Sequence, residues 1–228
     1  MTDEVIRSEL AERIVPGKRL GRHIVHDARS RNFPADRAVQ IVSVTHQAHG
    51  LPLDQGQIGS CTANALCGSL DSSPDFTGGA PRLENDAIHL YEVETRLEGK
   101  PYPPNDPGGS GLEVCKAAKQ LGWITAYKHA FGIEDGLLAL VVRPVITGIN
   151  WYTSFDTPDA TGLVVIAVGA TIRGGHEVVA DQIDATNQRV WFWNSWGPSY
   201  GVAGRFCMSF DTWQQLLEQQ GDVTVPMP

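Results

Sequence analysis

Cys61, His176 and Asn194 are residues whose types, order and immediate neighbours suit nucleophilic chemistry. A cysteine attacks a carbonyl only as its thiolate, so a pKa of roughly 8.5 has to fall, and a helix amino terminus and an adjacent imidazolium both lower it. Cys61 follows Gly59-Ser60 and opens the run Thr62-Ala63-Asn64-Ala65-Leu66-Cys67. That run lacks Gly and Pro and is rich in Ala and Leu, which predicts a buried helix beginning at or just before the cysteine. The unpaired N–H groups of such a helix end would face the sulfur. His176 follows Gly174-Gly175 and heads Glu177-Val178-Val179-Ala180, a place from which a strand can present a base to a cleft. Asn194, in Trp193-Asn194-Ser195-Trp196-Gly197, offers an amide oxygen to the imidazole N–H. Gln55, six residues before Cys61, can donate its amide to an oxyanion beside the Cys61 N–H.

The elements that must position these groups are legible as pattern. Helices are predicted from about Leu83 to Leu97 and from Gly111 to Leu121, where apolar residues recur at helical spacing on either side of a Pro/Gly loop at 101–109. Val-rich segments at 144–149, 162–170, 176–183, 188–193 and 204–210, separated by Gly, Asp and Asn turns, predict an antiparallel sheet, and 39–44 predicts one more short strand. A short amphipathic helix, 211–220, with Trp213, Leu216 and Leu217 on one face, is expected to close the chain. A helical first half and a strand-rich second half imply an α+β protein in two lobes. Residues 1–31 carry a basic bias and form an extension, either a strap packed on the body or a latency segment, ahead of a domain spanning 32–228.

Composition narrows the partners. The 228 residues hold 18 Lys+Arg against 26 Asp+Glu, a net charge of −8, which argues against nucleic acid because no basic face is available for phosphates. The 42% apolar content supports a real core. The longest apolar stretch, 162–172, falls well short of the ~20 residues of a membrane helix. Neither a secretory pattern nor a disulfide scaffold is evident, so a cytoplasmic product is expected, without membrane contact.

Gln55-Gly56, Gly59-Ser60-Cys61, Gly175-His176 and Asn194-Ser195-Trp196-Gly197 together resemble the signature of papain-like cysteine peptidases. About residues 32–212 can be laid on that pattern. The resemblance implies a two-lobed papain-like fold, with a helical lobe at about 53–128 and an antiparallel sheet or barrel at about 129–220 joined by the strand near 39–44, and an active-site cleft between them. It implies Cys61 as nucleophile, His176 as general base and then acid, Asn194 as its orienter and Gln55 as oxyanion donor. Trp196 would shield the His–Asn hydrogen bond, and Gly108-Gly109 resemble the glycine wall that pairs with an extended peptide or protein substrate, with Gly175 leaving a small wall beside the histidine. No cofactor or metal is implied. The sequence departs from secreted members of the family at Ile58, where they carry a disulfide-forming cysteine, and at Thr62, where they carry a tryptophan.

Bland roles compete at each of these positions. Cys67, Cys115 and Cys207 sit in apolar contexts and read as core residues. The pairs His23/His26 and His46/His49 lack accompanying cysteines or carboxylates at ligand spacing. Three functions stay open: a peptidase working through an acyl-enzyme, another Cys–His enzyme such as a cell-wall peptide hydrolase or a transglutaminase-like enzyme, and a non-catalytic binding or structural protein on the same fold. Gln55 and the Asn194-Ser195-Trp196-Gly197 string favour the first.

Overall fold

A computed structural model describes residues 4–228. The first three residues of the amino-terminal extension lie outside it. Strand β1 (Val5–Ser8) pairs antiparallel with β2 (Ile24–Asp27), and a 3-10 turn follows at Ala28–Asn32, its first N–H groups capped by the Asp27 carboxylate, which accepts from Arg29 N at 2.9 Å. After the short β3 (Val44–Thr45) come three helices, α1 (Cys61–Leu70), α2 (Glu84–Leu97) and α3 (Gly111–Gln120). They pack through Leu66, Leu70, Leu90, Tyr91, Val114 and Cys115 into one core, to which the sheet contributes Ile146 and Val179.

The second half builds β4 (Ala126–Ala130), α4 (Gly132–Val142), β5 (Val145–Tyr152), β6 (Ile172–Asp184), β7 (Arg189–Trp193), β8 (Arg205–Ser209), α5 (Phe210–Glu218) and β9 (Asp222–Met227). The strands form an open antiparallel sheet in the order β4-β9-β5-β6-β7-β8, with β3 on β6, so among the described residues the α+β lobe is a sheet rather than a closed barrel. Trp151, Phe155, Phe192, Phe206 and Trp213 fill its core, each fully buried. Each such side chain contributes about 1.5–3 kcal/mol of burial or more.

Four expectations are corrected. Strand 39–44 shrinks to Val44–Thr45, because its partner β6 ends at Asp184, one residue past the Val44–Ile183 pair, while Val39, Ile41 and Val42 stay exposed. Residues 162–170 form no strand. The Asp159 carboxylate there draws in the N–H groups of Thr161 and Leu163, one isolated bridge joins Leu163 to Cys207, and Val165 and Val168 face solvent. Helix α4 went unpredicted because its Leu/Ala/Val run is apolar on most sides and shows no amphipathic period. The amphipathic helix does not close the chain, since β9 follows and lies inside the sheet. Pro226 is tolerated in it because β9 pairs with β5 only through residues 222–224, so the missing N–H falls beyond that ladder.

Candidate active site

Helix α1 is hydrophobic nearly all round and runs against β6, where the absence of a side chain at Gly68 lets Val179 approach; a Cβ there would stand 3.1 Å from Val179 Cγ2. This packing sets Cys61, the first residue of the helix, beside β6. The turn before it is fixed from outside the helix. Asp106 accepts the Gly59 N–H at 2.9 Å and the Tyr91 hydroxyl at 2.8 Å, and that hydroxyl in turn accepts the Gly108 N–H at 2.7 Å. Buried Glu94 accepts from Thr62 Oγ1 at 2.7 Å and from Ser110 N at 3.0 Å. Two separate sets of bonds therefore each tie the residues around Cys61 to the segment 108–110, through Asp106 with Tyr91 and through Glu94, and no motif marks these three in the sequence.

His176 lies opposite Ile149 in the β5–β6 ladder and its Nε2 is 2.8 Å from Asn194 Oδ1. The Ser195 N–H also donates to Asn194 Oδ1 at 2.8 Å, which fixes the amide orientation, so Nε2 is the protonated nitrogen and donates to it. Nδ1 is buried without a hydrogen bond. Trp196 stacks on the imidazole at 5.2 Å and 25°, and Trp151 meets it edge-on at 4.8 Å. Gln55 donates its amide to Ile58 O at 2.8 Å and accepts from Ser195 Oγ at 2.5 Å, which uses one of its two amide hydrogens and ties the loop before Cys61 to the Asn194 turn.

Cys61 and His176 are both wholly buried. Burial pushes the Cys61 thiol up, against the pull of the Glu177 and Thr62 backbone groups, and pushes His176 down to about 3, against its bond to Asn194. As folded here the pair is neutral.

The cover is the amino-terminal segment. Arg173, buried in β6, donates to Arg13 O at 2.9 Å and Lys18 O at 2.6 Å, and Arg13 N donates to Arg173 O at 2.7 Å. Trp196 Nε1 donates to Arg19 O at 2.9 Å. Gly21 and Arg22 both give their N–H groups to Gly175 O, His23 N donates to Gly109 O at 2.5 Å, and Gly109 N donates to Gly21 O at 2.8 Å. Gly21 sits so close to the Gly59 carbonyl that a Cβ there would collide with it, and a Cβ at Gly108 would strike the Gly21 carbonyl. Gly108, Gly109 and Gly175 thus line a slot that an extended backbone fills. The side chain of Arg22 drops from this slot into a pocket with Asp222 and Glu177, both unremarked in the sequence, where nothing separates them from surface carboxylates.

No family model matches the chain, and no curated protein matches it. Solved structures are similar in fold. Xylellain, a cysteine protease from Xylella fastidiosa, superposes with a TM-score of 0.73 at 20% identity over 95% of this chain and 98% of its own. Procathepsin B from Trypanosoma congolense does so at 0.64 and 13% identity over 93% of this chain and 88% of its own. A cysteine protease from Carica candamarcensis, in complex with E-64, does so at 0.57 and 14% identity over 81% and 97%. The fold of this chain is papain-like.

Proposed function

We propose that this chain is a cysteine peptidase held latent by its own amino-terminal segment. What carries the reading is the His176–Asn194 pair, on β6 and just after β7, set against a cysteine at the amino end of a buried helix, within a papain-like fold. When the segment leaves, water and substrate enter and the burial that keeps the pair neutral is relieved. His176 Nδ1 then takes the Cys61 proton, and the helix end, with the Glu177 and Thr62 backbone groups, favours the thiolate. The thiolate adds to the peptide carbonyl, and the oxyanion meets the Cys61 N–H and the free amide hydrogen of Gln55. The C–N bond breaks as the imidazolium protonates the departing amine. Water, giving its proton to His176, then cleaves the thioester, releasing the acid and restoring the cysteine.

The substrate is an extended peptide, because the backbone groups of Gly109 and Gly175 already pair with an extended segment. Four free, buried cysteines suit a reducing cytoplasm, and no helix among the described residues is long and apolar enough to cross a membrane.

The test is intact mass after brief exposure to an epoxysuccinyl peptide at pH 6, for the full chain and for Gly21→Val, whose added side chain has no room over Gly59. A single adduct in Gly21→Val that is absent when Cys61→Ser or His176→Ala is added supports the proposal, and slow labelling of the unaltered chain supports latency. A Gly21→Val protein that stays folded and unlabelled would identify a binding protein on this fold.

A further inference from the structure

The orientation of the Gln55 amide depends on a single peptide unit. Gln55 Nε2 gives one of its two hydrogens to Ile58 O at 2.8 Å, while Oε1 is held by Ser195 Oγ at 2.5 Å. Ile58 C=O and Gly59 N–H are the two ends of the same planar peptide, so a group that fixes this N–H also fixes the carbonyl that receives the amide. Both oxygens of Asp106 accept the Gly59 N–H, at 2.9 and 3.1 Å. The carboxylate is aimed in turn by Tyr91, a fully buried residue whose hydroxyl donates to Oδ1 at 2.8 Å and accepts the Gly108 N–H at 2.7 Å. Burial and the neighbouring Asp106 push the Tyr91 hydroxyl up, so it stays protonated and remains the donor. Gly59 admits the carboxylate because it has no side chain; a Cβ there would lie 2.9 Å from Asp106 Oδ1. At the other end of the turn, Gln55 N donates to Ser195 O at 2.9 Å. The turn is thus tied to the sheet lobe at Gln55 and to the helical lobe at Gly59. Neither tie is covalent, since residue 58 is isoleucine and all four cysteines are free.

We infer that Asp106, aimed by Tyr91, is a positioning residue for the oxyanion site: it holds the Ile58–Gly59 peptide so that the second amide hydrogen of Gln55 faces the substrate carbonyl. The inference rests on the function proposed above and adds a residue to its site. Asp106 acts on the reaction through Gln55 and not through the thiolate. Without it the Gly59 N–H loses its acceptor, the peptide is free to turn, and the Ile58 carbonyl no longer sets the direction of the Gln55 amide. A donor that has to be reoriented during the reaction stabilises a developing oxyanion less than one fixed beforehand.

The test uses the full chain in the Gly21→Val background, because Arg19 of the strap also reaches Asp106 Oδ2, at 3.4 Å, while the cleft is shut. Two rates are read. Hydrolysis of a peptidyl coumarin amide passes through an oxyanion, whereas alkylation of Cys61 by iodoacetamide displaces iodide and forms none. Asp106→Ala is expected to lower kcat about tenfold or more, with KM and the alkylation rate each within about threefold of the parent. Asp106→Asn, which keeps an acceptor for the Gly59 N–H, should recover most of the loss. Tyr91→Phe, which keeps the ring and leaves the carboxylate unaimed, should lose less than Asp106→Ala. A double-mutant cycle isolates the route: with Gln55→Ala already present, adding Asp106→Ala should change kcat by less than about twofold. If Asp106→Ala does not fold, Tyr91→Phe enters the same cycle. An unchanged kcat, an equal loss with and without Gln55, or alkylation that falls in step with hydrolysis would overturn the positioning role and leave the peptidase standing. No hydrolysis by Gly21→Val itself would overturn the peptidase reading and this inference with it.

Discussion

His176 Nε2 and Asn194 Oδ1 are 2.8 Å apart, and because the Ser195 N–H occupies the same oxygen, the imidazole is held in one tautomer with Nδ1 as its only free nitrogen. Both partners are buried, so the bond is shielded from competing water by Trp196 above it.

Asn194→Ala removes that acceptor and leaves two buried N–H groups, His176 Nε2 and Ser195 N, without it. The expected loss is about 1–3 kcal/mol of stability in urea unfolding. In the Gly21→Val background, Cys61 labelling should slow by about tenfold or more, because the base is no longer oriented. Equal labelling would show that Asn194 is only structural.

Acid should loosen the closed state through His176. Its folded pKa, about 3, lies below the ordinary 6.5, so burial of the neutral ring contributes stability that is fully present above pH 6.5 and is lost as the pH falls toward 3. Asp75 and Asp181, raised by burial to about 6, act in the opposite sense. The contribution of His176 is isolated by comparing melting curves of the native chain and His176→Gln, and the native Tm should fall more steeply between pH 6.5 and 4. Parallel slopes would remove His176 from the balance.

Arg173→Met should release the strap without touching the cysteine. It deletes the bonds to Arg13 O and Lys18 O and leaves Asp156, 3.1 Å from Arg173 Nε, without its ion pair. Faster cleavage of residues 10–23 by an added protease, together with Cys61 labelling about tenfold faster, is the expected result. Unchanged rates would place the latch elsewhere along the segment.

Trp213 tests the sheet lobe independently of chemistry. It is fully buried on α5, stacks edge-on against Phe192 and donates to Thr147 Oγ1 at 3.2 Å. Trp213→Ala should cost about 3–5 kcal/mol in denaturant unfolding. A loss under 1 kcal/mol would mean that α5 is not part of the core.

Local sequence determined the pieces that need only local physics. Helices α1, α2 and α3 and strands β5, β6, β7 and β8 follow from apolar period and turn residues, and Cys61, His176 and Asn194 stand out because their immediate neighbours are distinctive. Pairing over long separations decided the rest. Whether Val39–Val44 or 162–170 becomes a strand depends on where β6 ends and whether a neighbour offers free N–H groups; β9 is a strand because β4 and β5 leave a gap for it despite Pro226. The acidic pocket is likewise invisible in the chain. Arg22, Glu177 and Asp222 are ordinary charges in sequence, and they come together only where Gly111 and Gly148 withhold the side chains that would fill the space between them.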